Sequence, residues 1–550
     1  MILPDLLRDR ASEGPDTVAL RVADTDALTY GEWDARSNAA ARGLVGRGVE
    51  PGDRVALLFP NDRLVDYAVC YLAVHKAGAV AVPLGSRFTD AELTRVVDHS
   101  GATLVVEDAG RLEAGRPGEP FQVPVDPDGL AEILYTSGTT GLPKGVAVSH
   151  TSLMVHDVPA DAGGVRPGPV SFLHAFPIGT QAGQEALRVP LRVRGRVAVA
   201  LPTFDPHRLC ALVERFRVVR LQLVPAMAHV LVASGAYRDH DVSSVRRVVL
   251  SSAPAAPALF RRLAEAFPQA TVWNAYALTE AGPARTLMEW DDTRPTAVGK
   301  PVGKTEIGIV DGEILLRRPG APPREYYRDP EATAEVFADG WVRTGDLGYV
   351  DADGYLHLTD RRKDLIITGG ANVSSVEVEN VLYEHPAVVD VAVVGLPHPV
   401  LGEDVAAALV VRSPTTEREL QDLVRSRLAE HKVPHRIVLV DRLPRNPSGK
   451  VVKGEVAALL EARPGDFAAP RNETEATVAS VWEAVLGVPH IGVNDDFFAL
   501  GGHSLAAVQI AARLRDAFGI ELPVVAVFEA PTVAELSRAV DQAATGAPAG

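Results

Sequence analysis

The chain has 550 residues, of which 47% are hydrophobic and 23% charged. At ~150 residues per domain that is room for three or four domains, and the composition is unlike that of a disordered chain. Lys and Arg number 55 against 71 Asp and Glu, a net charge of −16. That balance argues against a general nucleic-acid binder, whose footprint is a basic stripe. Cys70 and Cys210 are too few and too far apart for a disulfide framework or a metal cluster, and are expected to be reduced core residues of a cytoplasmic protein. Met1 to Arg10 holds no apolar signal core. The apolar run Tyr67 to Val74 falls well short of the ~20 residues of a spanning helix.

In chain order, Thr29 is placed to cap a helix from Tyr30 to Gly46, with Trp33, Ser37, Ala40 and Leu44 at helical intervals. Arg54–Phe59 reads as a strand, Tyr67 to Ala77 as a helix and Gly78 to Pro83 as the next strand. This alternation predicts a parallel sheet with right-handed crossovers. It recurs at Val197 to Leu201, Leu209 to Phe216 and Val245 to Leu250, giving two α/β layers that end near Thr286. Short β-like runs punctuated by Gly and Pro follow from Thr296 to Asp360, and a smaller α+β unit runs from Arg361 to about Ala462. Its strands are predicted at Val388 to Val394 and Val405 to Val411, and its helix from Thr416 to His431. Glu461 to Arg471 is linker-like in composition. Helices are predicted beyond it at Glu475 to Leu486, Ser504 to Phe518 and Thr532 to Ala543, a small bundle.

The strongest upstream motif is Leu134-Tyr-Thr-Ser-Gly-Thr-Thr-Gly-Leu-Pro-Lys-Gly-Val146. Its glycines let backbone N–H groups approach an anion, its hydroxyls add donors, and Lys144 supplies a point charge. It is not a Walker A loop, because Pro143 and Gly145 stand where that motif needs Gly and Ser/Thr. The string resembles the phosphate loop of the adenylate-forming superfamily: acyl-CoA synthetases, luciferases and the adenylation domains of non-ribosomal peptide synthetases. Further motifs follow in the family's order across almost the whole chain.

The resemblance implies a nucleotide site made by Thr136, Ser137, Gly138, Thr139, Thr140, Gly141 and Lys144. In Asn274-Ala-Tyr-Ala-Leu-Thr-Glu280, Tyr276 would stack on adenine, Thr279 would bond a phosphate oxygen and Glu280 would hold Mg²⁺. Ser251-Ser-Ala-Pro254 stands where relatives show Gly-Gly-Ala-Pro beside the adenine edge. Asp346, in Arg343-Thr-Gly-Asp-Leu347, would accept from both ribose hydroxyls, Arg361 would reach ribose or phosphate, and Lys363 falls at the family's hinge. Lys450, in Leu443-Pro-Arg-Asn-Pro-Ser-Gly-Lys-Val451, would bridge carboxylate and α-phosphate; with Thr279 and Arg361 it makes the catalytic set. Charge placed in this way is typically worth ~10²–10³ in rate.

Asp495-Asp-Phe-Phe-Ala-Leu-Gly-Gly-His-Ser-Leu505 resembles the phosphopantetheine site of a peptidyl or aryl carrier, with Ser504 as the attachment point at a helix start. From Glu473 onward there are ten acidic and three basic residues, an excess of seven negative charges suited to basic docking partners. The pocket segment Phe176-Pro-Ile-Gly-Thr-Gln-Ala-Gly-Gln-Glu185 has Thr180 and Gln181 where amino-acid-activating relatives place an Asp. A buried ammonium without a partner is costly. The expected substrate is therefore a carboxylic acid without a free α-amino group, aryl, hydroxy or short acyl. Glu185 leaves open an amine placed differently, and Gly183 is read as shaping the acyl slot together with Thr180 and Gln181.

The implied architecture is α/β: a two-subdomain α/β core with a small β-rich subdomain over residues 1–360, a hinged α+β cap over 361–462, a linker over 463–472 and an all-α four-helix carrier bundle over 473–545. The implied function is ATP-dependent activation of the acid as acyl-AMP and its transfer to the phosphopantetheine of the fused carrier in natural-product biosynthesis. ATP, Mg²⁺ and 4′-phosphopantetheine are the implied cofactors. A phosphopantetheinyl transferase and downstream synthase or tailoring enzymes are the implied partners, with no nucleic acid and no membrane. A free acyl-CoA ligase is the rival, against which the carrier argues. A scaffold with a dead active site is opposed by the presence of Lys144, Glu280, Asp346, Arg361 and Lys450 together.

Overall fold

The computed structural model describes residues 1–85, 88–136, 143–155, 170–398, 400–446, 450–462, 469–486, 488, 491–498, 500, 502 and 504–545. Phosphate-loop residues Ser137, Gly138, Thr139, Thr140 and Gly141 lie outside them, as does the side chain of Ser504. The chain divides into two compact units: residues 1–363 with 445–452, and residues 364–444 with 453–550.

In the first unit, local signals set the elements. Thr29 caps the helix Tyr30–Val45 and Glu32 closes the reciprocal capping box. That helix buries Trp33 completely, its indole N–H donating 2.9 Å to the Ala68 carbonyl of the helix Leu64–Lys76. The latter buries every residue from Tyr67 to Lys76, so it reads as uniformly apolar rather than amphipathic. Cys70 lies on it, and both cysteines are free and buried. No described helix is long and apolar enough to cross a membrane.

Two sheets organise this unit. The smaller has parallel strands Leu104–Val106, Arg54–Phe59, Val80–Gly85 and Leu130–Thr136, and continues antiparallel through Lys144–Ser149 to Glu325–Tyr326. The larger has a parallel centre, Arg196–Ala200, Val170–His174, Arg220–Leu223, Arg247–Leu250 and Thr271–Ala277. One face of that centre packs Leu221, Leu223, Val248 and Leu250 against Leu209, Phe260 and Leu263. The Gly- and Pro-punctuated strands continue this sheet antiparallel, because Arg285–Glu289 pairs with Ala297–Pro301, which in turn pairs with Leu356–Arg361. The sheet then runs through Trp341–Val350, Glu313–Arg317 and Glu306–Val310.

In the second unit, the hairpin Val388–His398 with Gly402–Val411 anchors a sheet completed by Ile366–Thr368, Ala371–Val373 and Arg436–Leu439. The helix expected to reach His431 stops at Arg425. A separate 3₁₀ turn follows at Glu430–Lys432, and Val433, extended at ψ 125° before Pro434, cannot continue a helix. The carrier segment forms helices Glu473–Leu486, Ser504–Phe518 and Val533–Thr545, plus a short one at Val525–Glu529 that the sequence periodicity does not resolve. Their shared core includes Trp482, Phe497, Ile510, Leu514 and Leu536.

Candidate active site

The site grows from strand pairing. Thr136 ends one strand of the smaller sheet and Lys144 begins the next, facing each other in register across the phosphate loop. The Lys144 ammonium lies 4.9 Å from the centre of the Tyr326 ring, a cation–π contact that holds the end of its side chain. Tyr326 arrives there because Glu325–Tyr326 adds to the edge of Lys144–Ser149. Its phenol donates 3.2 Å to Oε1 of Glu280, and the Thr136 hydroxyl donates 3.3 Å to the same oxygen. Burial, then the nearby Glu280 charge, raise the Tyr326 pKa, so the phenol stays a donor. Tyr326 carries no sequence signal of its own; only a pairing across about 180 residues puts it there.

Thr279 and Glu280 follow the strand Thr271–Ala277 at its carboxyl end, where open parallel sheets place their ligands. The Thr279 carbonyl accepts from the buried Arg324 guanidinium. Desolvation, reinforced by the Arg188 charge, pushes the Arg324 pKa down to about 10, against the pull of Glu132, Glu185 and Glu280.

Asp346 is 5% exposed. Arg361 sits opposite it in the strand pair and donates 2.7 Å from Nε to Oδ1, while the Tyr276 phenol donates 2.7 Å to Oδ2. A carboxylate has about four acceptor positions. Two are thus used and two remain for ribose hydroxyls. Burial and the Asp346 charge raise the Tyr276 pKa.

Residues 445–452 belong to the first unit although the cap around them in sequence does not. An Arg445–Val451 bridge and reciprocal bonds between Asn446 and Lys450 shape this loop. Lys450 is exposed as a residue, yet enough protein surrounds its ammonium to desolvate it. That desolvation, with Arg361 and Lys363, lowers its pKa, whereas Glu280 and Asp346 oppose the shift. Lys450 therefore shares one electrostatic neighbourhood with Glu280, Asp346, Arg361 and Lys363. Lys363 is the last residue before the unit boundary. The donor set suits the chemistry: one carboxylate for a hard divalent cation, and lysines and an arginine for phosphate oxygens.

One departure in the sequence carries a backbone cost. Ser252 has φ 76°, in the left-handed region where the family's usual Gly carries no Cβ penalty.

The segment expected to line the acyl slot is re-read by the structure. Thr180 caps the helix Gln181–Arg192 by accepting from the Gly183 N–H, so its hydroxyl has a structural duty. A Cβ on Gly183 would sit 2.2 Å from the Pro177 carbonyl oxygen; Gly183 is a close-packing position, not part of an open slot. Gln181 reaches Glu185 at 3.5 Å. Glu185 is already paired with Arg192 at 2.8 Å and Arg188 at 3.4 Å, which removes it as a free partner for a substrate amine. Behind it, Arg188 and Glu132 form an ion pair at 3.2 Å with both side chains at most 1% exposed.

In the carrier, Ser504 begins the helix Ser504–Phe518. Gly502 is held against Phe497: its N–H donates 2.8 Å to the Phe497 carbonyl and a Cβ there would lie 2.4 Å from that ring. Phe497 packs edge-on to Trp482 in the bundle core. Phe497 and Gly502 therefore fix the approach to the Ser504 helix.

Three family descriptions match: an AMP-binding enzyme over residues 7–322, an AMP-binding enzyme C-terminal domain over 377–450, and a phosphopantetheine attachment site over 476–540. The chain is 35% identical over 484 residues to a feruloyl-CoA synthase of an Amycolatopsis species, covering 81% of this chain and 96% of that one. It is 30% identical over 572 residues to a linear gramicidin synthase polypeptide of Brevibacillus parabrevis, covering 95% of this chain and 7% of that one. Among solved structures it resembles the amide bond synthetase McbA of Marinactinospora thermotolerans at 31% identity and TM-score 0.71, covering 83% of this chain and 99% of that one. The chain belongs to the AMP-binding enzyme family: it is an adenylate-forming ligase, using ATP and Mg²⁺, fused to a phosphopantetheine carrier domain.

Proposed function

We propose that this protein condenses a carboxylic acid lacking a free α-amino group with ATP to give acyl-AMP and pyrophosphate, and delivers the acyl group to its own carrier domain. The observation that carries this reading is the gathering of Thr136, Lys144, Glu280, Asp346, Arg361 and Lys450 within one unit of a chain that also bears Ser504.

Lys144 and the backbone of the phosphate loop hold the triphosphate, Asp346 the ribose and Tyr276 the adenine. Glu280, oriented by Thr136 and Tyr326, is the residue that would hold Mg²⁺, which neutralises phosphate charge when bound. The substrate carboxylate attacks the α-phosphorus, the bond to the bridging oxygen breaks, and pyrophosphate leaves. Lys450 and Arg361 stabilise the charge that gathers on the α-phosphate oxygens, and Thr279 bonds one of them. A phosphopantetheine arm held on Ser504 would supply the thiol for the second half-reaction, in which the acyl–phosphate bond breaks and AMP leaves. Lys450 must vacate the acyl carbon before a thiol can reach it, so the two halves require a rearrangement at the hinge residue Lys363. A phosphopantetheinyl transferase must modify Ser504, and an acidic carrier suits basic docking partners in a natural-product pathway.

The absence of a carboxylate at Thr180 and Gln181, and the pairing of Glu185 with Arg188 and Arg192, support an acid without an α-amine. The resemblance to a feruloyl-CoA synthase supports an aryl or acyl acid and favours free CoA as the second reading of the acceptor. ATP–pyrophosphate exchange over a panel of carboxylic acids tests the first half-reaction. Turnover of α-amino acids above all other classes would overturn the substrate reading.

A further inference from the structure

The larger sheet is asymmetric in how its two faces are treated. The face bearing Leu221, Leu223, Val248 and Leu250 is fully buried. By strand alternation and register the opposite face bears buried His174, Ala198, Ala200 and Val249, and with them Arg196, Phe172, Arg220, Arg247, Trp273, Gln222 and Ala275. Phe172 is buried as well, whereas Arg196, Arg220, Gln222, Arg247, Trp273 and Ala275 stay partly accessible. The helix Gln181–Arg192 lies over the same face, since Ala186, Leu187 and Leu191 join one core with Phe172, Ala198 and Ala200.

Arg220 and Arg247 are directly opposite each other on neighbouring strands, and Arg196 lies two strands from Arg220 on the same face. The Arg247 guanidinium rests 4.2 Å above the Trp273 ring. Nε of Arg220 is buried without a partner, and among the described residues neither Arg220 nor Arg196 forms an ion pair. Glu289 faces Trp273 in register but does not pair with either. Desolvation, then repulsion from Arg247, Arg285 and Arg196, pushes the Arg220 pKa down to about 9. A row of guanidinium groups that raises its own electrostatic energy in this way is stabilised by an anion arriving from outside.

Position defines where that anion belongs. Arg220 opens its strand and Leu223 closes it. The arginines therefore sit ~10 Å behind the carboxyl ends of the strands, at ~3.3 Å per residue. Under the adenylation reading the reacting carboxylate would lie at those ends. We propose that this face is the floor of the acyl site and that Arg220, flanked by Arg196 and Arg247, holds a second anionic group at the far end of the acid substrate. The substrate class is thus a dianionic acid, of aliphatic or aryl body, with about six to eight atoms between its charged ends. This rests on the adenylation reading proposed above.

The test uses the intact chain and pairs of acids that differ only at the distal end: adipate, suberate and terephthalate, each against its monomethyl ester, in ATP–pyrophosphate exchange. The dianion of at least one pair is expected to exceed its ester in kcat/KM by ~10- to 100-fold, the worth of a charge-assisted hydrogen bond. Arg220→Met is expected to erase that ratio and Arg196→Met to reduce it. Arg246→Met, at the neighbouring exposed position, is expected to preserve it. Exchange with the esters at rates equal to or above the dianions, or an unchanged ratio in both Arg220→Met and Arg196→Met, overturns the inference and leaves adenylation standing. Failure of every acid to support exchange overturns the adenylation reading and this one with it.

Discussion

The ion pair beneath the pocket helix gives the most demanding stability test. Glu132 stands on the strand leading into the phosphate loop, and Arg188 on the helix Gln181–Arg192. The two carboxylate oxygens accept from Arg188 at 3.3 and 3.2 Å, and Oε2 also accepts from the Tyr71 phenol at 2.7 Å. Desolvation pulls the Arg188 pKa down, but Glu132, Tyr71 and Glu185 outweigh it and the net shift is upward. Glu132→Ala deprives a buried guanidinium and a buried phenol of their acceptor together, with an expected cost of about 3–5 kcal/mol. In a unit of this size that lowers the melting temperature by about 4–6 °C. Replacing both partners by apolar residues of similar volume, Glu132→Leu with Arg188→Met, removes the stranded charge. It is expected to cost at least ~2 kcal/mol less than the sum of the single variants, on the order of a strong double-mutant coupling. The measurement is chemical denaturation of the wild type, the two singles and the double. Strict additivity, or a single-variant loss under about 1 kcal/mol, would refute the claim that this pair couples the strand to the helix.

Three further outcomes follow from the same structure. Burial holds His150 and His174 at a pKa of about 4 against an ordinary 6.5. Below pH 6.5 the unfolded chain takes up protons that the folded one does not, so stability is full above that pH and declines as pH falls toward 4, by about 3 kcal/mol per histidine. His174→Phe is expected to flatten that decline in melting temperature against pH, and an unchanged slope would contradict it. Ser252→Gly relieves a left-handed Ser and is expected to raise unfolding free energy by about 1 kcal/mol in urea titration. Tyr326→Phe removes one of the two donors orienting Glu280 and is expected to slow pyrophosphate exchange about tenfold with little change in melting temperature.

Legibility followed sequence distance. The caps, the parallel core strands and the motif order could be read directly because each rests on neighbours within a few residues, as at Thr29 with Glu32. The roles of Thr180 and Gly183 could not. An N-cap and a helix–turn contact look the same in sequence as a small-residue slot until the Pro177 backbone is in place. Tyr326, Arg324 and the Arg188–Glu132 pair stayed silent for another reason. They become site residues only through strand and helix pairings across tens to hundreds of positions, and isolated Arg, Tyr or Glu residues carry no spacing signal. Arg220 was similarly hidden, because its meaning lies in its register with Arg247 and in what fails to face it.

The central claim is that one chain both activates an acid and receives it. Its most direct test is the intact mass of the phosphopantetheinylated chain after incubation with ATP, Mg²⁺ and an acid that supports exchange. The wild type is expected to gain one acyl group. Lys450→Ala, modified but unable to adenylate, is expected to gain none, and Ser504→Ala, active in exchange, is expected to gain none either. Acylation of the Ser504→Ala chain, or unimpaired acylation of Lys450→Ala, would contradict the account.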